Sequence, residues 1–196
     1  MMVRIWSSPW VSGINLANLE DEDYDSPLGD STGAAVIFGV TGGVLEAALR
    51  SVHTMLTGEN LSNDKINFRA VRGLDGVKEA KVEVAPGISV NVAIASGLGN
   101  TRKVLDMVRA DRTRFQAIEI MACPGGCING GGQPFIHGNR NEVLRGRMEG
   151  LYAEDCGKQL RLSHENPDIK KLYAEFLGTP GSEKAQHLLH TKYHEK

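Results

Sequence analysis

The sequence predicts an α/β fold in which a parallel-sheet lobe is followed by a helical tail that wraps it. Two apolar runs of strand length, 89–96 and 115–121, enclose a helical pattern. Because a strand, a helix and a strand in succession are typical of a parallel pair, we expect these strands to lie side by side. Near Gly138 the composition changes, and the chain beyond it is polar and helical in pattern. We therefore divide the chain into residues 1–137 and 138–196.

The elements before the first strand have recognisable start and stop signals. Residues 18–25 are strongly acidic and predict a solvated loop. Three helix-cap residue types then precede the apolar run 34–38: Asp30, Ser31 and Thr32. Gly42 and Gly43 introduce a helical pattern that runs to about Leu56 and ends at Gly58. The apolar residues expected on one face of this helix are Val44, Ala47, Ala48, Val52 and Met55.

Strands and helices alternate through the rest of the first part, and helices follow. Strands are expected at 68–71, 80–84 and 89–96, with a turn at Pro86-Gly87 between the last two. A helix from Asn100 or Thr101 to about Arg112 is expected to bury Val104, Leu105 and Val108. In the tail, helices are expected at 142–155, at 167–177 between Asn166 and Gly178, and at 182–193.

Composition excludes several classes of protein. The chain of 196 residues has a net charge of −2, so no basic excess indicates a nucleic-acid partner. No apolar run approaches the roughly 18 residues of a membrane span, and no secretory signal is evident, so a cytoplasmic protein is expected. Three cysteines, an odd number, favour metal or redox chemistry over a disulfide framework.

The chemistry is expected at Cys123-Pro-Gly-Gly-Cys127, directly after a strand-like run. Ligands in α/β proteins usually bind at the carboxyl ends of strands. Pro124 restricts one φ angle, and Gly125 and Gly126 can adopt positive φ, so both thiols can point at one object. The small residues also leave backbone amides free to donate to cluster sulfides.

From spacing alone, four interpretations of this loop stay open. A structural zinc site could be completed by Cys156, His137 or His164. A redox disulfide usually has two intervening residues rather than three. A glycine turn without chemical function is a third interpretation. An iron–sulfur site is the fourth, although such clusters usually have four ligands and the chain has three cysteines.

The stretch EIMACPGGCINGGGQP, residues 119–134, resembles the last of the three signature motifs of iron-only (FeFe) hydrogenases. Residues 26–50 are similar to the family's segment under the active site, and residues 95–100 to the turn before the last motif. Residues 151–193 resemble the region called the small subunit, which some members carry as a separate chain. The likeness runs from about Gly13 to the end.

The resemblance implies a cofactor, the H-cluster, in which a 4Fe-4S cubane is joined to a two-iron unit. It implies that Cys123 ligates the cubane and that Cys127 ligates it and bridges to the two-iron unit, within a cofactor-binding loop that includes Gly125 and Gly126. Met121 would pack near the two-iron unit, and Phe38 and Gly39 would line the pocket. The reaction implied is reversible reduction of protons to H2 with ferredoxin as electron partner, after cluster assembly by maturation proteins.

Two earlier motifs of the family, which supply the other two cubane ligands, a proton-relaying cysteine and a lysine, do not occur in this sequence. We therefore interpret the chain either as a hydrogenase fragment or as a subunit for which a second chain supplies these residues. We expect the chain alone to bind the H-cluster poorly, with residues 36–38 facing water or a partner. The alternative is a catalytically inactive iron–sulfur protein, such as a sensor or assembly factor. Cys156 is expected to be structural or incidental, and His164, His187 and His190 to be solvated.

Overall fold

The computed structural model describes residues 18–23, 25, 29, 31–63 and 65–192. Its α-helices are α1 (Gly33–Val36), α2 (Gly43–Thr57), α3 (Leu98–Ala110), α4 (Arg140–Gly157), α5 (Pro167–Leu172) and α6 (Glu183–Leu189). Its strands are β1 (Val77–Ala85), β2 (Ile88–Ser96) and β3 (Ala117–Met121). Short 3₁₀ turns lie at Ile37–Gly39, Arg69–Val71, Cys127–Asn129 and Ser163–Glu165, and a π turn at Tyr173–Leu177 continues α5. Within the described ranges, no helix has the length and apolar character needed to cross a membrane.

The three strands form one sheet in the order β1-β2-β3. β2 and β3 are parallel, in register from Val92 opposite Ala117 to Ser96 opposite Met121, and α3 connects them as predicted. β1 and β2 are antiparallel, because a connection as short as Pro86-Gly87 can only reverse the chain. The α/β class and the helical tail are confirmed, and the sheet is mixed rather than wholly parallel.

Three predicted elements differ from the structure. In place of the predicted strand 68–71, Arg69–Val71 form a single 3₁₀ turn, and Phe68 before it packs against the core. α3 begins at Leu98 after Gly97, whose φ is +87°, so neither Asn100 nor Thr101 is its cap. α6 ends at Leu189, short of the predicted limit at Tyr193, which lies outside the described residues. Thr32 caps α1 as expected, and Asp30 lies outside the described residues.

Helices cover both faces of the sheet. On one face, Leu45 and Leu49 of α2 pack with the buried strand residues Val82, Val84, Val92 and Ile94. On the other face, Val104 of α3 packs with Ala93 and Ala95. The buried stripes are narrower than predicted, since Val44 and Met55 of α2 and Leu105 of α3 are exposed.

The tail packs against the segment that precedes α2. Leu144 and Tyr152 of α4 form a cluster with Ile37, Val40 and Ile128. Ile37 is therefore buried, contrary to the expectation that it faces water or a partner, while Phe38 is 43% exposed as expected. The described acidic residues between 18 and 25 are exposed, as predicted.

A buried ion-pair network joins the tail to α2. Asp155 of α4 accepts hydrogen bonds from Arg50 and Arg161, with Nη2–Oδ2 distances of 2.8 and 2.6 Å. Arg50 also pairs with Glu46, which in turn accepts from Arg72. Burial alone would raise the pKa of Asp155, but the two guanidinium groups outweigh it and hold that pKa below its ordinary value. The network is thus a specific electrostatic link between α2 and the tail.

Candidate metal centre

The loop between Cys123 and Cys127 lies at the carboxyl end of β3, where the sequence predicts it. Cys123 is half-buried, Cys127 is exposed, and both thiols are free. The backbone N–H of Gly126 donates to the carbonyl of Cys123 at 3.0 Å, and that of Gly130 donates to the carbonyl of Cys127 at 3.0 Å. Each cysteine therefore opens a closed turn, which restricts the backbone from which its thiol projects.

Gly125 and Gly126 have φ angles of +85° and +95°, so the predicted positive φ is confirmed. A Cβ atom on Gly126 would lie 2.7 Å from the backbone nitrogen of Thr41 and 3.0 Å from the sulfur of Met121. The backbone N–H of Thr41 also donates to the carbonyl of Gly125 at 3.1 Å. The loop therefore rests directly on the turn before α2, and only glycine fits at position 126.

The other predicted site residues gather around this loop. Met121 ends β3 directly beneath Gly126. The carbonyl oxygen of Gly39 would lie 2.8 Å from a Cβ on Gly126, and a Cβ on Gly39 would lie 2.9 Å from Leu151 of α4. Phe38 is adjacent in sequence and partly exposed. The structure brings these residues to one end of the sheet, and their catalytic roles stay predictions.

Buried charges lie behind the loop. The carboxylate of Glu119 accepts from the backbone N–H groups of Gly42 and Leu45, at 2.5 and 2.8 Å, and so caps the start of α2. Lys78 of β1 is 9% exposed and donates to the carbonyl oxygens of Thr41 and Gly73, at 3.1 and 2.7 Å. Burial lowers the pKa of Lys78 to about 8, against the opposing effect of nearby carboxylates.

Two residues near the loop were missed by the sequence reasoning. Lys78 shares a strand face with Ala80, Val82 and Val84, so strand alternation could have placed it in the interior. Arg147 of α4 donates to the carbonyl oxygens of Ile128 and Pro134, at 2.7 and 2.8 Å. Nothing in the sequence pattern of α4 distinguishes Arg147 from the other arginines of that helix, because the partners of Arg147 are carbonyl groups distant in sequence.

The cysteine loop supplies two of the four thiolate ligands of a typical cubane cluster. Among the described residues, no group of three or more His, Cys, Asp or Glu side chains could share a metal ion. The zinc interpretation therefore gains no support from Cys156, which lies 3.8 Å from Arg161, or from His164, which contacts Ser51 and Asn60. Cubane clusters are held by four thiolates. Two thiols with nearby glycine amides fit one side of such a cluster and do not complete it.

Comparison with known proteins decides the family. Residues 10–131 match the family described as iron only hydrogenase large subunit, C-terminal domain, and residues 141–196 match iron hydrogenase small subunit. The chain belongs to the iron-only hydrogenase family. The resemblance stated from the sequence is thereby confirmed, while the division of the chain at residue 137 stays a prediction.

Hydrogenases are among the relatives of this family member. It is 58% identical over 180 residues to the NADP-reducing hydrogenase subunit HndD of Solidesulfovibrio fructosivorans, covering 92% of this chain and 30% of the relative. It is 40% identical to Iron hydrogenase 1 of Clostridium pasteurianum, covering 92% of this chain and 31% of the relative. The solved FeFe-hydrogenase HydA1 of Chlamydomonas reinhardtii superposes with a TM-score of 0.66 at 38% identity, over 94% of this chain and 52% of that one.

More distant relatives carry other names. Protein NAR1 of Arabidopsis thaliana is 30% identical, over 94% of this chain and 39% of that protein. The Xenopus tropicalis relative named cytosolic Fe-S cluster assembly factor narfl is 28% identical over 93% of this chain. The chain spans less than half the length of each of these four curated relatives. The activity of any whole protein is therefore a matter for proposal.

Proposed function

We propose that this chain forms the carboxy-terminal part of an iron-only hydrogenase active site. The overall reaction combines two protons with two electrons to give H2, and it is reversible. Ferredoxin is the proposed electron partner, and hydrogenase maturation proteins are proposed to assemble the cofactor. Cys123 and Cys127 would hold a 4Fe-4S cluster, and Cys127 would also bridge to the two-iron unit of the H-cluster.

The observation that carries this proposal is the loop between the two cysteines. Its thiols follow a strand end, its glycines leave no side chain over the backbone amides, and it rests on a buried turn at Thr41. Amide N–H groups near a cluster donate to its sulfides and stabilise negative charge. Met121, Phe38 and Gly39 are proposed to shape the pocket around the two-iron unit, excluding water beside it.

A partner polypeptide is part of the proposal, because the loop provides two thiolates, those of Cys123 and Cys127, where a cubane has four. β3 forms one edge of the sheet, and its Ile118 and Ile120 are 37% and 46% exposed. Exposed apolar residues along a sheet edge are typical of a surface that another element covers. We propose that a second chain, or another region of a longer protein, covers this edge and supplies the remaining thiolates.

The experiment is cluster assembly under anaerobic conditions with the maturation proteins present. The chain is produced alone and together with a family polypeptide that carries the two other cysteine motifs. Iron, acid-labile sulfide, electron paramagnetic resonance and H2 evolution from reduced ferredoxin are measured for both. We expect full iron and sulfide content, an H-cluster resonance and H2 evolution only when the partner is present. Cys123→Ala and Cys127→Ala should abolish these signals, whereas Cys156→Ser should retain them. Full activity of the Cys127→Ala complex would refute the proposed ligand role.

A second candidate function is a catalytically inactive iron–sulfur protein that takes part in cluster assembly or sensing. Its support is the 28% identity, over 93% of the chain, to the Xenopus tropicalis relative named cytosolic Fe-S cluster assembly factor narfl. The 58% identity to a hydrogenase subunit favours the first function. A complex that holds iron and sulfide but evolves no H2 and shows no H-cluster resonance would favour the second.

A further inference from the structure

The loop after Cys127 has few bonds of its own. Residues 131–135 are exposed, and three consecutive glycines lie at 130–132. Within the loop, the backbone N–H of Gln133 donates to the carbonyl of Gly130 at 3.3 Å, beyond the turn that Gly130 closes on Cys127. Exposed segments with few packed side chains open easily. The side-chain amide of Asn129 holds the start of the loop by donating to the carbonyl of Pro124 at 2.9 Å, so it is the exposed residues 131–135 that need another contact.

Arg147 provides that contact from a different part of the chain. Its Nη1 donates to the carbonyl of Ile128 at 2.7 Å, and its Nη2 donates to the carbonyl of Pro134 at 2.8 Å. One planar guanidinium thus bridges the two ends of the seven-residue segment 128–134. Hydrogen bonds from a charged donor are shorter and stronger than neutral ones, and a two-point contact also fixes orientation.

The contact at Ile128 transmits this restraint to the thiol. Ile128 directly follows Cys127 and is 4% exposed, so its carbonyl and side chain are both held. Arg147 itself projects from α4, which is anchored on either side by buried Leu144 and by Asp155 in the ion-pair network. The backbone around Cys127 is therefore tied to the docking of α4.

We propose that Arg147 is a positioning residue that fixes the loop carrying Cys127. The segment matching the small subunit thereby controls the metal affinity of the two thiols. The inference rests on the proposed function for the role of the thiols, whereas the pinning of the loop stands on the hydrogen bonds alone. It gives the helical tail a direct part in forming the site. Residues that orient metal ligands without touching the metal typically change metal affinity about 10- to 100-fold when replaced.

The test compares Arg147→Ala and Arg147→Lys with Arg145→Ala in the full chain. Arg145 is an exposed arginine of the same helix, so its variant controls for loss of charge and of helix surface. Hydrogen exchange followed by mass spectrometry reports on residues 127–136, with a peptide from α3 as internal reference. Cobalt(II) titration, followed by the thiolate–cobalt charge-transfer band, reports on Cys123 and Cys127, and a Cys156→Ser background removes the third thiol.

In Arg147→Ala we expect the amides of Gly130 and Gln133 to exchange about tenfold faster, with α3 unchanged. Cobalt affinity should fall about 10- to 100-fold. Arg147→Lys should recover part of both effects, because it keeps a single charged donor, and Arg145→Ala should match the wild type. Recovery by lysine distinguishes positioning from general loss of packing.

Unchanged exchange of the loop in Arg147→Ala would overturn the inference whatever the cobalt result. Faster exchange with unaltered cobalt affinity would also overturn it, since the thiols would then not depend on the pinned loop. Absence of cobalt binding in the wild type would contradict the proposed metal site instead. In that case, the rate of alkylation of Cys127 relative to Cys156 takes the place of the titration, and equal ratios in wild type and Arg147→Ala would overturn the inference.

Discussion

Replacement of Asp155 by asparagine tests whether the buried network holds the tail in place. The Asp155 side chain is fully buried and accepts from both Arg50 and Arg161 through both of its oxygens. Asparagine has nearly the same shape but no charge, and its amide nitrogen would face a guanidinium donor. The change therefore leaves the geometry close to native and removes the negative charge that the two arginines share.

The expected loss of stability is large because the two arginines remain buried. Arg50 is 0% exposed and Arg161 is 6% exposed. Arg50 would then share Glu46 with Arg72, and Arg161 would lose the carboxylate to which it donates. Removing one partner of a buried ion pair costs about 3–5 kcal/mol. That is a large part of the roughly 5–15 kcal/mol by which a typical domain is stable.

Urea unfolding of the full chain at pH 7, followed by circular dichroism, measures this loss. Asp106→Asn is the matched control, because the Asp106–Arg109 pair is 60% and 68% exposed and should contribute less than about 1 kcal/mol. A loss below about 1 kcal/mol in Asp155→Asn would refute the reasoning, since it would mean that water or relaxation compensates the buried arginines. Acidification should reproduce the effect: the pKa of Asp155 is lowered, so its contribution is lost as pH falls through that depressed value.

Two further predictions concern the turn beneath the cysteine loop. Gly126→Ala should cost at least about 2 kcal/mol and lower cobalt affinity, because φ is +95° and a Cβ would lie 2.7 Å from the nitrogen of Thr41. Gly131→Ala, where a Cβ meets open space, is its control, and equal unfolding midpoints for the two variants would contradict the steric argument. Lys78→Met should change the pH dependence of stability, because the pKa of Lys78 is about 8 in the fold and near its ordinary value of 10.5 when unfolded. The unfolded chain then binds more protons between these values, so wild-type stability should rise by about 3 kcal/mol relative to Lys78→Met from pH 8 to 10.5. Parallel pH profiles of the two proteins would show that Lys78 is solvated.

The sequence was most informative where local geometry is decisive. Successive side chains of a strand point to opposite faces of the sheet, and β-branched residues are frequent in β2 and β3. The existence of these two strands and their parallel pairing could therefore be inferred. Gly125 and Gly126 could be assigned positive φ because few other residues adopt it. Asn166 and Gly178 bound the predicted tail helix, since capping depends on neighbouring residues.

Errors arose where distant residues decide the outcome. The segment 68–71 has strand-like composition, but it closes as a turn against α2 and β1. Ile37 was expected at a surface and is buried by α4, more than a hundred residues away. Val44 and Met55 were placed on a buried face, although the stripe that contacts the sheet passes through Leu45 and Leu49. Packing thus overrode the strand-like composition of 68–71, and it selected which side of the other two segments is covered.

By itself, the sequence determined the family, the α/β order of elements and the loop that carries two thiols, because these depend on residue types at short spacing. The tertiary structure alone decided what surrounds that loop. Arg147 reaches Ile128 across 19 positions, and Asp155 reaches Arg50 across 105. Hydrogen bonds to backbone carbonyls leave no distinctive residue pair in the sequence, and a buried charge is indistinguishable from a solvated one until its neighbours are known.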